Sequence, residues 1–115
     1  WLEKHLGSES LRPEDVQATL LELTAVTVAD ALPEAAENLY LCGGGAYNVQ
    51  LCRRLNTLCA PCCVESTSAL GIDPDEVEPL AFAWLARQTL LGRAGNIASV
   101  TGARGERILG GIYYA

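Results

Sequence analysis

The sequence has few basic residues and no long apolar run. Lysine and arginine together number only eight among 115 residues, and the net charge is −6. Because a phosphate-binding surface needs a cluster of basic side chains, this composition argues against a nucleic-acid partner. No apolar run approaches the roughly 20 residues of a membrane span, and the N-terminus has no signal-peptide pattern. We therefore expect neither nucleic acid nor a membrane among the partners.

Methionine is absent altogether, and the chain starts at Trp1 as though in the middle of a protein. We therefore expect a piece of a longer polypeptide, so that part of any active site lies elsewhere. Half of the residues are hydrophobic, and no tract is of low complexity. A chain of this length suffices for one domain with a core but not for two. We expect a single unit over residues 1–115.

The five cysteines are an odd number in a chain without a secretion signal, which predicts reduced, intracellular thiols. They are Cys42, Cys52, Cys59, Cys62 and Cys63. A zinc site needs four suitably spaced ligands, and the only histidine, His5, is distant in sequence. A redox C-x-x-C pair should open a helix after a strand, whereas "CAPCC" precedes a predicted strand. We therefore predict small buried hydrophobic side chains and no metal site.

Apolar periodicity predicts alternating helices and short strands. A helix over 13–32 carries one apolar stripe through Val16, Leu20 and Leu23, thickened by a second set of apolar residues, Leu21, Ala25, Val28 and Leu32. The run "NLYLC" predicts a strand, residues 46–58 a helix, and "CCVEST" a second strand.

A third helix is predicted after a proline-containing turn. Asp73 followed by Glu76 matches a capping box, with Asp73 as the cap. Pro79 would remove a hydrogen bond inside a helix, so we place a fresh helix at about 79–91, which Gly92 ends. Glu78 then lies at the mouth of this helix, a position that suits a functional carboxylate.

The last segment, 95–115, is predicted as a glycine-rich loop and a final strand. Helices and strands in alternation favour an α/β fold, a small, partly parallel sheet covered by helices. Two or three strands make a small sheet with open edges, through which the chain can pair with another copy as a homo-oligomer.

The glycine turn, Gly43, Gly44 and Gly45, connects a predicted strand to a predicted helix. No Lys-Ser or Lys-Thr follows it, which excludes the Walker phosphate loop, and Asn48 stands where the dinucleotide pattern needs a third glycine. Glycines still let a planar ligand approach the backbone, and Asn48 offers a donor and acceptors. The residues alone leave two interpretations open, a structural turn and a nucleotide contact.

Four segments together resemble the C-terminal part of the anhydro-N-acetylmuramic acid kinase family. They are "DVQATLLELTA", "LYLCGGGAYNVQLCRRL", "EVEPLAFAWLARQTLLGRAGNIASVTGA" and "RILGGIYYA". The resemblance covers nearly the whole chain in order, and G-G-G-A-x-N followed by F-A-W-L-A and G-N-x-x-S-V-T-G-A is a specific set. It implies the C-terminal lobe of an actin-like (ribonuclease H-like) ATPase fold.

The resemblance also implies a reaction. Members of the family open the 1,6-anhydro ring of anhydro-N-acetylmuramic acid with water and transfer the γ-phosphate of ATP to O6. The product, N-acetylmuramic acid 6-phosphate, returns cell-wall sugar to metabolism in the bacterial cytoplasm. ATP and Mg²⁺ are the implied cofactors, with the Mg²⁺ ligands mainly outside this chain. The implied partners are the amino sugar, ATP and an N-terminal lobe of the same polypeptide.

Site residues follow from the resemblance position by position. It assigns Gly43, Gly44, Gly45 and Asn48 to a loop that borders the adenosine side of ATP, Glu78 to the sugar side of the cleft, and Thr101 and Gly102 to a turn near the cleft. On physical grounds alone, Glu78 also fits a solvated acid at a helix start, and Gly102 a plain turn. Phe82 and Trp84 are predicted as core residues, because their spacing suits packing.

The sequence departs from the family at three places. Tyr47 replaces a basic or polar residue, Pro79 replaces a common alanine, and "CAPCC" is this sequence's own. The family's first phosphate loop and general-base aspartate belong to its N-terminal half. We therefore assign no catalytic residue to this chain and expect no kinase activity from it alone. Alternative hypotheses are a lobe of another actin-like sugar or acetate kinase, a non-catalytic interaction module, and a thiol or zinc protein.

Overall fold

The computed structural model of the chain describes residues 4–5 and 11–113. From Pro13 onward the helices and strands alternate in the predicted order. They are α1 (Pro13–Ala31), β1 (Asn38–Leu41), a 3-10 helix (Gly43–Tyr47), α2 (Val49–Leu58), β2 (Cys63–Ser66), a second 3-10 helix (Thr67–Leu70), α3 (Val77–Leu90) and α4 (Ala98–Thr101). None of the helices in the described ranges is long and apolar enough to cross a membrane.

The two strands form a parallel sheet, as alternating helices and strands predict. Asn38 lies opposite Cys63 and Leu41 opposite Ser66, and α2 makes the connection between the strands. The small parallel sheet with helices confirms an α/β fold. Two strands are common to many α/β folds, so the actin-like lobe stays a prediction.

The core lies where α1 packs against α2. Ala25 of α1 and Leu55 of α2 are 0% and 1% exposed, and Cys59 and Cys62 complete the buried cluster. The apolar stripe predicted for α1 is wrong in part, because Leu20 and Leu23 are exposed. The buried side of the helix is instead the one that carries Ala25, with Val28 packed half-buried against the core. Among the described residues, α2 is the helix that packs closely on α1, so a narrower face than the whole apolar stripe is buried.

Two of the five cysteines are buried, as predicted for small hydrophobic side chains, and the other three are not. Cys59 and Cys62 belong to the core, whereas Cys42 and Cys63 are exposed, and all five thiols are free. Burial and then the neighbouring Cys62 raise the pKa of the Cys59 thiol. A raised pKa disfavours the thiolate that redox chemistry requires.

The start of α3 corrects the predicted cap. The helix begins at Val77, two residues before Pro79, and Glu76 precedes it without a side-chain cap. The first four N–H groups of a helix have no acceptor within the helix, so Pro79 costs no hydrogen bond at this position. Asp73 is not the cap, because its Oδ1 accepts from the N–H of Asp75 at 2.9 Å.

The exposure of α3 corrects a second prediction, that Phe82 and Trp84 are core residues. Phe82 and Trp84 are 64% and 49% exposed, and no residue of α3 is buried. These side chains therefore do not belong to the core of this chain. The helix has the predicted apolar pattern, but the described residues place no sheet or helix over it.

The segment after α3 contains no strand up to Tyr113, which corrects the strand predicted within 95–115 as far as the structure describes it. Asn96 holds this segment together instead, because its Oδ1 accepts from Arg107 N at 2.6 Å and its Nδ2 donates to the Gly105 carbonyl at 3.2 Å. A strand needs a neighbouring strand for its backbone groups. Both described strands pair only with each other.

Candidate functional site

The glycine turn lies at the carboxyl edge of the sheet, where open α/β folds bind their ligands. It follows β1 after the single residue Cys42 and forms the 3-10 helix Gly43–Tyr47, which was not predicted from the sequence. Gly43 has a φ of +63°, which favours glycine, and its N–H donates to the Pro74 carbonyl at 2.8 Å. The turn is therefore fixed to a second segment, the one that leads into α3.

Gly44 has no structural reason to be a glycine within the described chain. Its φ is not in the left-handed region, and a Cβ at this position would meet no atom within 4 Å. The space beside its backbone is open, and the second N–H of a helix has no acceptor within the helix. A surface of this kind lets a ligand lie flat against the backbone.

Asn48 connects the glycine turn to α2. Its Oδ1 accepts from Leu51 N at 3.1 Å and so caps the helix. The capping bond uses one of the acceptor positions that the sequence analysis counted as available to a ligand. Among the described residues the side-chain Nδ2 has no hydrogen-bond partner, which leaves it as a donor for a ligand.

A cleft of about 770 Å³ opens beside Asn48, between α1 and α2. Its volume is within the range of small-molecule sites. Seven of its eleven lining residues are polar or charged, among them Gln17 of α1 and Gln50 of α2, and the other four are alanine or leucine. No motif in the sequence pointed to these two residues, because only the packing of α1 on α2 brings them together.

An ion pair forms one wall of this cleft. Nε and Nη2 of Arg54 donate to the two carboxylate oxygens of Glu22, each at 2.7 Å. The hydrogen bond from Arg54 lowers the pKa of Glu22, and the bond to Glu22 raises the pKa of Arg54. Both side chains remain partly exposed, at 38% for Arg54 and 45% for Glu22.

Thr67 is a buried polar residue that the sequence did not single out. It follows β2 directly and is 9% exposed, and its hydroxyl has no hydrogen-bond partner in the described chain. The sheet register places it one residue beyond the pair of Leu41 and Ser66, at the edge where the glycine turn begins. An unpartnered buried hydroxyl is uncommon in a folded protein.

Glu78 is the second residue of α3 and is exposed to solvent. Among the described residues it makes no ion pair and no side-chain hydrogen bond. It follows Pro74 by four residues, and the carbonyl of Pro74 binds the glycine turn. The structure therefore brings the start of α3 to the side of the sheet where the glycine turn lies.

Tyr47 joins these two segments through its side chain, and it was not among the predicted site residues. Its hydroxyl oxygen lies 3.3 Å from Oδ1 of Asp73 and 3.3 Å from Oδ2 of Asp75. Loss of water around the hydroxyl and then the two carboxylate charges raise the pKa of Tyr47. The sequence did contain a hint to Tyr47, because this tyrosine stands where the family pattern has a basic or polar residue.

Thr101 and Gly102 have local roles at the end of α4. The Thr101 hydroxyl donates to the Ile97 carbonyl at 3.1 Å, and Gly102 ends the helix with a φ of +70°. No hydrogen bond within the described ranges joins them to the glycine turn. The described hydrogen bonds of these two residues therefore stay within α4 and its ends and do not connect them to the other predicted site residues.

Comparisons with known proteins define the class. A family model described as anhydro-N-acetylmuramic acid kinase matches residues 1–115. A curated protein of that name from Thiobacillus denitrificans is 57% identical over 110 residues, which are 93% of this chain and 30% of the relative. A relative from Coxiella burnetii with the same name is 50% identical over 117 residues, 99% of this chain and 32% of its own length.

A third protein of the same name, from Pseudomonas syringae, is 51% identical over 119 residues, 100% of this chain and 33% of the relative. The proteins that this chain resembles are thus bacterial kinases, and kinases are transferases. It belongs to the anhydro-N-acetylmuramic acid kinase family. It spans about a third of the length of these curated relatives.

Proposed function

We propose that this chain is the C-terminal lobe of an ATP-dependent kinase that opens the 1,6-anhydro ring of anhydro-N-acetylmuramic acid and phosphorylates O6. The observation that carries the proposal is the family match along residues 1–115, with relatives 50–57% identical. The glycine turn supports it, because Gly44 is open to a ligand at the carboxyl edge of the sheet.

The nucleoside end of ATP lies on the glycine turn in this proposal. Gly43, Gly44 and Gly45 supply the backbone surface, and Asn48 donates a hydrogen bond from Nδ2 while its Oδ1 caps α2. The cleft between α1 and α2 supports this placement, since it begins at Asn48 and is large enough for a nucleoside.

The sugar lies on the side of Glu78. Its carboxylate is exposed and has no partner in the described chain, so it is available to accept hydrogen bonds from sugar hydroxyl groups. For Thr101 and Gly102 we propose only a position beside the cleft, because both residues already have local roles at the end of α4.

The chemical step depends on groups beyond this chain. When bound, Mg²⁺ neutralises phosphate charge during phosphoryl transfer. The described residues contain no group of three or more metal-binding side chains, so we place the magnesium ligands in an N-terminal lobe with the first phosphate loop and the general base. The 115-residue chain alone is then inactive, and the complete enzyme works in the cytoplasm on recycled peptidoglycan sugar.

The test uses the complete polypeptide, expressed from the gene that encodes this chain with its upstream sequence. Incubation with ATP, Mg²⁺ and anhydro-N-acetylmuramic acid in ¹⁸O-labelled water should release ADP and give a product heavier by one labelled water and one phosphoryl group. Release of ADP with another sugar or with acetate, and none with the anhydrosugar, would replace the proposal by another kinase of the same fold.

A further inference from the structure

We propose that Tyr47, Asp73 and Asp75 form a clasp that positions the start of α3, and with it Glu78, relative to the glycine turn. The catalytic consequence of this clasp rests on the proposed function. The clasp itself rests on contacts within the described chain, so it can be tested even if the chemistry is different.

The side-chain part of the clasp is one hydroxyl between two carboxylates. The Tyr47 hydroxyl oxygen is 3.3 Å from an oxygen of Asp73 and 3.3 Å from an oxygen of Asp75. The hydroxyl carries one proton and donates to one carboxylate at a time. Asp73 is held in place for this contact, because its Oδ1 also accepts from the N–H of Asp75 at 2.9 Å.

The backbone part of the clasp lies beside it. Gly43 N–H donates to the carbonyl of Pro74 at 2.8 Å, and Pro74 is buried. The two ends of the 3-10 helix, Gly43 and Tyr47, therefore both bind the segment 73–75. Two attachments restrain the relative rotation of two segments, which a single one cannot do.

Little else in the described chain holds α3. The helix buries none of its residues, and its large apolar side chains Phe82 and Trp84 are exposed. Its C-terminal half contacts the following segment, through a hydrogen bond from the Thr89 hydroxyl to the Leu109 carbonyl. That segment has no buried residue either. The direction of the helix start is therefore set mainly by the turn at 73–75.

Glu78 follows Asp75 by three residues and lies in the first turn of α3. A small rotation of that turn changes the position of its carboxylate relative to the glycine turn. Misplacement of a bound reactant by about 1 Å can cost a factor of roughly 100 in rate, although each ligand still binds. A positioning residue of this kind should affect kcat more than either KM.

The test compares Tyr47→Phe with Tyr40→Phe in the complete polypeptide. Both variants lose one hydroxyl, but Tyr40 in β1 makes no side-chain hydrogen bond in the described chain. We expect Y47F to lower kcat about tenfold, with the KM values for ATP and for the sugar changed by no more than about twofold. Y40F should retain the wild-type constants.

Hydrogen exchange followed by mass spectrometry gives a second result that needs no activity. In Y47F we expect faster amide exchange in both segments 43–47 and 73–80, and in Y40F we expect wild-type exchange there. Unchanged exchange in Y47F would overturn the clasp whatever happens to kcat.

Two kinetic results would also overturn it. An unchanged kcat in Y47F would show that the clasp has no role in the reaction. A rise in the KM for ATP larger than the fall in kcat would place Tyr47 against the nucleotide itself. If the complete polypeptide shows no kinase activity, the proposed function fails, and the exchange measurement still decides whether the clasp exists.

Discussion

The two halves of the chain differ in what they bury. Residues 13–74 contain the whole buried cluster and both strands, whereas no residue from 75 to 113 is buried. Both halves are rich in apolar side chains, so composition does not explain the difference. The first half packs two helices against each other beside a sheet, while α3 lies outside that packing. Apolar periodicity thus predicts a helix but not whether anything covers it.

The candidate site lies where the two halves meet. The glycine turn and Asn48 belong to the half with the core, and Glu78 belongs to the half without one. The proposed nucleotide side is therefore attached to the buried core, and the proposed sugar side depends on the turn at 73–75 for its position.

Leu55→Ala should produce the largest change in the stability of the 115-residue chain. Leu55 is the largest fully buried side chain, and removal of such a leucine costs about 2–5 kcal/mol of the free energy of unfolding. Leu90→Ala, the same change at a residue exposed in α3, should cost no more than about 0.5 kcal/mol. Urea denaturation measures both, and equal costs would remove the contrast between the halves.

Glu78→Gln should lower the kcat/KM of the complete polypeptide for the anhydrosugar about tenfold to a hundredfold. A hydrogen bond to a charged group contributes about 1.5–3 kcal/mol, which corresponds to this range. Glu76→Gln is the matched control, since Glu76 is exposed two residues earlier and makes no side-chain cap. Equal kinetic constants in the two variants would exclude Glu78 from the sugar site.

Gly44→Ala should raise the KM for ATP and leave stability unchanged. Nothing in the described chain meets the added methyl group, but a ligand packed on this surface would, at a cost of about 1–3 kcal/mol. Gly105→Ala supplies the control, because Gly105 also lacks a left-handed φ and lies outside the turn. A wild-type KM together with a wild-type melting temperature would mean that no ligand touches Gly44.

Glu22→Gln should give the smallest effect, and only at some pH values. Arg54 lowers the pKa of Glu22 in the folded chain, so the pair stabilises the fold above the unfolded pKa of about 4.3. This stabilisation is lost as the pH falls through the lower, folded pKa. The variant should therefore melt slightly below wild type at pH 7, and the gap should close in acid.

Glu34→Gln is the control for that measurement, because Glu34 is exposed and makes no ion pair in the described chain. Its melting temperature should follow wild type at neutral pH. A gap for Glu22→Gln that persists unchanged below the folded pKa would show that the ion pair does not contribute.

The sequence predicted much of the local structure. The order of helices and strands and the end of α3 at Gly92 depend on neighbouring residues, and the structure has them where these signals place them. The capping role of Asn48 is equally local, although only its ligand role was predicted. The start of α3 was misplaced because Pro79 is compatible with a first helical turn as well as with the position before one.

What the sequence by itself determined is the strand, glycine turn and helix around Gly44, the position of Glu78 near a helix start, and membership of a kinase family. These depend on residues adjacent in the chain or on whole-chain similarity. Only the tertiary structure decided which face of α1 is buried at Ala25, that Thr67 keeps an unpartnered hydroxyl, and that Tyr47 reaches Asp73 and Asp75. Such contacts join residues distant in sequence, and they depend on how separate elements pack against each other.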